Sequence, residues 1–323
     1  MDCHQQECEA LAGYLKEARG RDPLVRIVEQ VESRKTNGIM KYYVGTKNKS
    51  AHDIDKTHQE NQHAMKLHGE YFNQQKNIPN VNIDLSNEWL KKTYLRYESE
   101  SLIYAAQEQA LATNYVSSKI WKIGNDPKCR LCRKENETVQ HITSGCEMLA
   151  GTQYMRRHDL VGKYLQRNIL KDLGAKVPDS WLQDKPTDRT IHEDTTILWD
   201  KPIITHKKVK HNRPDITIHN TKTRECLLID VAIPTCTNIT KKEAEKITKY
   251  RDLEIEIQKC WNLKKIRTIP VIVGALGTVS TNITKNIEQI SPNLNLKHIQ
   301  KTTLIGTAHI LRNFLTPRKG LAT

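Results

Sequence analysis

The sequence predicts an α/β fold, built on a sheet whose strands are joined partly by a hairpin and partly through a helix. Two short β-branched runs, Asp215 to His219 and Cys226 to Pro234, flank a polar turn, which is typical of a β-hairpin. A helical period follows from Lys241 to Trp261, and the apolar run from Ile269 to Val273 predicts one more strand. Because a strand reached through a helix adds in parallel, we expect a mixed sheet.

Further elements are predicted on both sides of these strands. Residues 151 to 173 have a helical period, residues 195 to 199 read as a short strand, and residues 304 to 314 as a final amphipathic helix. Ahead of them, Ser86 can cap one helix, and a second spans roughly residues 100 to 115. We interpret these two early helices as structural support.

Length and composition divide the chain into four segments. With 323 residues it is long enough for about two domains. We predict a polar, partly helical arm over residues 1–85, a helical linker over 86–126, a small metal-binding loop over 127–150 and the α/β domain over 151–323. Only two Phe and a mean hydropathy of -0.66 indicate a modest core.

The charge balance indicates a polyanionic partner. Lys and Arg outnumber Asp and Glu by 51 to 37, which gives a net charge of +14 and a pI near 9.3. Nucleic acid is the first candidate. A membrane surface is the rival, but we find no apolar run of spanning length and no signal-peptide core near Met1. Eight cysteines, three of them at metal-ligand spacing, favour a reducing intracellular compartment, and for a DNA-binding chain we expect the nucleus.

One cysteine and histidine motif predicts a metal site. Cys129, Cys132, His141 and Cys146 form Cys-x₂-Cys-x₈-His-x₄-Cys, a spacing that allows a tetrahedral Zn²⁺ with no open position, hence a structural ion. In a loop this small the metal would supply most of the folding energy. The alternative is a set of free cysteines beside a surface histidine. Basic residues around the motif favour a nucleic-acid-binding knuckle.

Two aspartates on the predicted hairpin suggest a second metal site. If the turn is centred near Lys222 and Thr223, Asp215 lies opposite Asp230. Like charges in that position destabilise a sheet, and a divalent cation held by carboxylate oxygens would offset the repulsion. Mg²⁺ or Mn²⁺ is the expected ion.

The helix after the hairpin brings lysines towards these acids. Its predicted apolar stripe consists of Ile247, Tyr250, Leu253, Ile257 and Trp261. Lys246 falls inside that stripe, where an ammonium group needs a partner, and Lys249 flanks the same face. Two carboxylates, a metal and a lysine are the parts of phosphodiester hydrolysis. Taken singly, however, the acids could merely border strands, and Lys246 could reach solvent along the helix.

In combination these residues resemble the PD-(D/E)XK restriction-like nucleases. They resemble still more the endonuclease domain at the C-terminus of site-specific non-LTR retrotransposon proteins, in which Arg/Lys-Pro-Asp is followed at similar spacing by an acid. Here the matching residues are Arg213 to Asp215 and Asp230, whereas Ala232 stands where a plain motif has lysine. The resemblance implies that the lysine comes from the next helix, as Lys246 or Lys249.

The resemblance covers approximately residues 60 to 323. Retroelement proteins of this kind carry a Cys-Cys-His-Cys knuckle just ahead of the nuclease, followed by an Arg-His-Asn or Arg-His-Asp group, here Arg157 to Asp159. It implies the C-terminal portion of a reverse-transcriptase reading frame, with structural zinc, catalytic Mg²⁺ or Mn²⁺, and DNA, RNA and the rest of the retroelement protein as partners. No Tyr/Phe-x-Asp-Asp motif is present, so we expect no polymerase activity.

The sequence therefore predicts a metal-dependent DNA endonuclease in which Asp215 and Asp230 bind the metal and Lys246 or Lys249 assists the water. The alternative is a zinc-dependent nucleic-acid-binding remnant without catalysis. A protein scaffold is a weaker third option, because long heptads are absent. The residues predicted to contact nucleic acid are Lys128, Arg130, Arg133, Lys134, Arg156, Arg157, His158, Lys208, Lys210, Arg213 and Tyr250. For His158 the alternative is to cap the helix or to pair with Asp159.

Overall fold

The structure is a computed structural model, and it describes residues 70–91, 95–124, 126–177 and 186–316, together with the isolated positions Lys56 and Glu60. The predicted helical parts of the arm ahead of residue 70 lie outside the described residues. The chain divides into two compact units, residues 1–70 and 71–323. From Tyr71 on, every element below belongs to the second unit.

Helices occupy the first part of the described chain. They are α1 (Glu70–Asn77), α2 (Ile83–Lys91), α3 (Tyr97–Gln107) and α4 (Asn114–Lys119). Two π-helical turns, His141–Gly145 and Ala150–Tyr154, enclose one α-helical turn at Glu147–Leu149 and lead into α5 (Met155–Asp172).

Strands and helices then alternate. They are β1 (Arg189–His192), β2 (Thr195–Trp199), β3 (Ile216–Asn220), β4 (Glu225–Ala232), a 3₁₀ turn (Cys236–Asn238), α6 (Ile239–Lys249), α7 (Arg251–Cys260), β5 (Lys265–Ile272), α8 (Ile283–Ile290) and α9 (Leu296–Leu315). No helix in the described ranges is long and apolar enough to cross a membrane.

The five strands form one mixed sheet in chain order, which confirms the α/β class. The pairs from β1 to β4 are antiparallel, and β4 pairs with β5 in parallel. In the β3–β4 hairpin Ile216 lies opposite Ile229 and Asn220 opposite Glu225. The turn is therefore centred between Lys222 and Thr223, as predicted, and one further step of this register sets Asp215 opposite Asp230.

Alternating residues of β4 enter two different cores. Ile229 joins α5 and α8 on one face of the sheet, whereas Leu228 joins Tyr250 and residues of α7 on the other, because successive strand side chains point to opposite faces. The helix predicted over 241–261 breaks at Tyr250, whose φ of -101° ends α6. Ile247 is consequently 45% exposed, so its place in the apolar stripe was wrong.

A third core joins the early helices to the cysteine motif. Its buried members include Trp89 of α2, Ile103 of α3, Ile142 of the π-helical turn and Leu311 of α9. Parts of the predicted linker, loop and α/β domain thus share one core. Ser86 is not a cap, because α2 begins at Ile83 and the Ser86 hydroxyl accepts the amide of Val279.

Candidate metal centre and active site

The four predicted zinc ligands come together. The donor atoms of Cys129, Cys132, His141 and Cys146 all lie within 4.8 Å of one another. The Cys129 and Cys146 sulfurs are 3.9 Å apart, and the Cys132 sulfur is 3.4 Å from His141 Nε2. A tetrahedral Zn²⁺, with bonds of about 2.3 Å to sulfur and about 2.0 Å to nitrogen, separates its ligands by about 3.5–3.8 Å. The cluster could therefore hold a metal ion, and its ligand set suits zinc.

Backbone contacts fix these ligands locally. The amide of Leu131 approaches the Cys129 sulfur at 3.4 Å. On the other side, the Tyr154 hydroxyl accepts the amide of Cys146 at 3.1 Å and donates to the Ile142 carbonyl at 2.8 Å. The second π-helical turn thus ties the last two ligands together.

The cations around this centre are mostly paired with acids. Arg130 donates from Nε and Nη2 to the buried carboxylate of Glu137, at 3.0 and 2.6 Å. Because this guanidinium is held by a buried acid, Arg130 stabilises the loop, and its contact with nucleic acid stays a prediction. Three more residues of this loop were predicted to contact nucleic acid. Arg133 lies 3.7 Å from Asp126, and Lys134 lies 2.5 Å from Glu147. Lys128 donates to the Lys134 carbonyl at 2.7 Å.

A cleft of about 560 Å³ opens where α5 meets the ends of β3 and β4. Its charged lining consists of Arg157, His158, Asp159, Asp200, Arg213, Asp215 and Lys246. Asp215 and Lys246 were predicted as catalytic, and both face this cleft.

Asp215 is anchored at the start of β3. Its Oδ2 accepts the backbone amide of Val231 at 2.6 Å and is 3.0 Å from His158 Nε2. Burial alone would raise the pKa of Asp215, but the His158 contact, the Val231 amide and the charge of Lys246 outweigh it and hold that pKa below its usual range. Asp215 is thus a carboxylate at neutral pH.

His158 pairs with Asp159, which was one of the alternatives that the sequence left open, and it also contacts Asp215, which the sequence did not indicate. Its Nδ1 is 3.1 Å from Asp159 and its Nε2 is 3.0 Å from Asp215, so both ring nitrogens face acceptors. Burial lowers the pKa of His158, but hydrogen bonds to the two carboxylates more than offset this and raise it to about 10. The resulting imidazolium faces carboxylates, so the predicted contact with nucleic acid is corrected to a contact with Asp215.

Asp230 is buried beneath this cleft, with 1% of its surface exposed. Its Oδ2 forms an ion pair with Lys246, and its Oδ1 accepts from the Tyr250 hydroxyl at 2.7 Å. Lys249 is more distant, at 3.4 Å from Oδ1. The partner that Lys246 needs is therefore Asp230. Only Lys246 of the two lysines also lines the cleft.

Two predicted nucleic-acid contacts are structural instead. Tyr250 is fully buried, and its hydroxyl lies within reach of Asp230 and of the Arg213 carbonyl, at 3.0 Å from the latter. Arg157 is 2% exposed and donates to Thr307 of α9 at 2.9 Å. Neither side chain presents its polar group on the surface, so both predictions are corrected.

The other predicted basic contacts are exposed. Arg213 forms a two-point ion pair with Asp200, at 2.7 and 2.8 Å, at the edge of the cleft. Lys208 and Lys210 lie exposed on the segment that leads to it. Arg156, also exposed, turns away from the cleft towards α9.

Comparison with known proteins does not assign this chain to a family. Neither a protein-family model nor a curated protein matches this chain. The likeness to retroelement nucleases therefore rests on the residues themselves, above all Arg213 to Asp215, Asp230 and the cysteine motif.

The electrostatics of the cleft differ from the prediction in one respect. The repulsion between Asp215 and Asp230 is already offset by His158, Lys246 and Lys249. A divalent cation is therefore not required for the two acids to coexist, and the repulsion is no longer an argument for one. What the arrangement offers is a carboxylate, a lysine and an imidazolium at one cleft.

Proposed function

We propose that this protein is a Mg²⁺- or Mn²⁺-dependent DNA endonuclease, acting at the cleft between α5 and the β3–β4 hairpin. The observation that carries the proposal is the ion pair between Lys246 of α6 and Asp230 of β4. The register of the β3–β4 hairpin sets Asp215 opposite the same Asp230. A lysine and two acids from separate elements lie close together, which supports the resemblance to restriction-like nucleases.

The residues at the cleft suit a hard cation by type. Carboxylate oxygens are the ligands that Mg²⁺ prefers, and the described hydrogen bonds to Asp215 all reach Oδ2, which leaves Oδ1 for a metal. Asp215 and Asp230 would hold the ion, which supplies polarisation of the phosphate and a more acidic bound water. Lys246 orients the attacking water or steadies the developing charge, and His158 holds Asp215 in place.

The broader proposal follows from charge and resemblance. The net charge of +14 supports DNA and RNA as partners, and the two motifs support a C-terminal portion of a non-LTR retrotransposon protein, working in the nucleus with the rest of that protein. In this role the nuclease nicks a target strand. The Cys129–Cys146 loop, with structural zinc, would then act as a nucleic-acid-binding knuckle.

One observation favours the alternative, a zinc-dependent nucleic-acid-binding protein without catalysis. Asp230 is 1% exposed and takes Lys246, Lys249 and Tyr250 as partners. A metal could reach it only if Lys246 moved. A protein that never makes that exchange would bind DNA and leave it intact.

The test is nicking of supercoiled plasmid by the zinc-loaded protein with Mg²⁺, with Mn²⁺ and with neither. We expect metal-dependent nicking that falls by at least about 10²-fold in Asp215→Asn and in Lys246→Gln, since each removes a group that stabilises the transition state. Asp252→Asn, an exposed acid on α7, is the matched control and should nick normally.

Two results decide against the proposal. Nicking that persists in Asp215→Asn would refute the assignment of the acids. Salt-sensitive DNA binding that is lost on zinc removal, with no nicking at any Mg²⁺ or Mn²⁺ concentration, would establish the non-catalytic alternative.

A further inference from the structure

A second group of cationic and polar side chains lies outside the cleft, where α5 packs on α9. The helices meet closely at this crossing, since a Cβ on Gly306 would come within 2.5 Å of Arg157 Cγ. Arg157 is buried in the contact. Arg156, its neighbour, emerges on the α9 side, where its Nη1 lies 3.3 Å from Nε2 of His309.

The α9 residues around His309 complete the group. Asn313 Nδ2 is 2.8 Å from the same His309 nitrogen, so that nitrogen accepts from the amide and faces the Arg156 guanidinium. Arg312 is exposed and donates from Nη2 to the Ser99 hydroxyl at 3.2 Å. We call Arg156, His309, Arg312 and Asn313 the α5–α9 cluster.

No acid in the described ranges pairs with the two arginines of this cluster. The nearest candidate in sequence, Asp159, is engaged by His158 instead. Each guanidinium has five N–H donors, yet the described partners of Arg156 and Arg312 are a single imidazole nitrogen and a single hydroxyl. Burial and the two arginine charges also lower the pKa of His309, so the imidazole is neutral at neutral pH. Within the part of the chain that the structure describes, the cluster thus consists of two cations with unused donors and no acid beside them.

We propose that the α5–α9 cluster is a phosphate-binding subsite that holds the backbone of a polynucleotide outside the cleft. Planar guanidinium groups bind phosphate by paired hydrogen bonds, and the Asn313 amide adds another donor. The inference rests on the part of the proposed function that names nucleic acid as the partner, and it does not require cleavage.

The position of the cluster suits one strand that contacts both functional regions. On one side, Arg156 follows Met155, which lines the cleft. On the other, Asn313 precedes Phe314, whose ring lies 5.0 Å below the guanidinium of Arg130 in the cysteine loop. A strand held at the cluster would lie between the candidate metal centre and the candidate active site.

The test is binding of a fluorescent DNA oligonucleotide to the zinc-loaded full chain, without added Mg²⁺ or Mn²⁺, over a series of salt concentrations. For Arg156→Gln/Arg312→Gln we expect the salt slope to fall by about 2 and Kd at 150 mM salt to rise about tenfold, because two phosphate contacts are lost. Arg189→Gln/Lys285→Gln removes two exposed charges elsewhere and should change neither quantity. Thermal unfolding of both variants checks that they fold.

Competitors distinguish the source of the phosphate. Polynucleotide should displace the probe, whereas inorganic phosphate and a mononucleotide should not do so below about 10 mM, because each offers only one of the many contacts. Full displacement by inorganic phosphate would replace the proposal with a small-anion site. An equal loss of affinity for polyglutamate in the double variant would replace it with unselective polyanion binding.

Failure here and failure of the endonuclease proposal give different results. Unchanged salt slope and Kd in Arg156→Gln/Arg312→Gln would overturn the subsite and leave nicking unaffected. An absence of nicking, with a reduced salt slope in the double variant, would overturn the endonuclease and leave the subsite.

Discussion

The candidate metal centre and the cleft differ in the partners of their polar side chains. At the centre, the described hydrogen bonds to the Cys129 and Cys132 sulfurs come from backbone amides and from the other ligands. At the cleft, Asp215 and Asp230 are matched by His158 and Lys246 from neighbouring helices. The first site is a set of ligands that could hold an ion, whereas at the second site the protein itself supplies the opposite charges.

From this difference we expect a metal to have a different role at each of the two sites. Three cysteine sulfurs and one imidazole nitrogen lie within 4.8 Å of one another, so a metal held at the centre would cross-link the loop and contribute to folding. The paired acids of the cleft keep their geometry without one, so a metal there would matter for activity alone. The comparison is tested by removing each kind of partner in turn.

The largest effect is expected at the metal centre. Cys146→Ser should abolish stoichiometric zinc binding and unfold the core around Ile142 and Leu311, because a structural zinc contributes on the order of 10 kcal/mol. Zinc content by mass spectrometry and thermal unfolding measure this, with Cys260→Ser, outside the cluster, as the control. A Cys146→Ser protein that melts like the parent would show that the centre needs no metal.

The next effect concerns the buried acid of the cleft. Asp230→Asn leaves the Lys246 ammonium without its carboxylate and should lower the free energy of unfolding by about 3–5 kcal/mol. Denaturant unfolding measures it, and Asp252→Asn should cost nearly nothing because that acid is exposed. If added Mg²⁺ made Asp230→Asn as stable as the parent, the idea that the protein itself offsets the charges at this site would be wrong.

The sequence predicted the ligands of the metal centre more completely than the contacts of the cleft, for a physical reason. The zinc ligands span 18 residues, from Cys129 to Cys146, so their spacing alone limits how they can meet. The hairpin is equally local, so one assumption, a turn centred near Lys222 and Thr223, was enough to predict its register.

The remaining features depend on contacts between distant segments. His158 and Asp215 are 57 residues apart, and only the packing of α5 against the hairpin brings them together. The same holds for the burial of Arg157 against Gly306 and for the pairing of Arg130 with Glu137, where composition indicated only positive charge. For Tyr250, the break between α6 and α7 turns the hydroxyl inward to Asp230.

The stability of the fold should depend on pH because of the charged pairs in the cleft. The folded pKa of His158 is raised to about 10 from an ordinary 6.5, so its stabilisation is complete below about pH 6.5 and is lost as pH rises towards 10. Asp215, whose pKa is lowered, contributes above about pH 4 and loses its contribution in acid. Between pH 6 and pH 10, without added metal, we expect the free energy of unfolding of the parent to fall by about 2 kcal/mol more than that of His158→Gln. Equal losses in urea unfolding would mean that the imidazolium is not stabilised by these acids.

The smallest effect separates the two lysines that face Asp230. Lys249 is 3.4 Å from Oδ1 and its side chain is 28% exposed, so Lys249→Gln should cost at most about 1 kcal/mol. Lys246 is 15% exposed and pairs with Oδ2 inside the cleft, so Lys246→Gln should cost more and should also remove nicking. Urea unfolding and plasmid nicking of the two variants side by side make the comparison. Should Lys249→Gln be the variant that loses nicking while Lys246→Gln keeps it, the lysine that assists the water would be the outer one, and the cleft would have to open towards Tyr250.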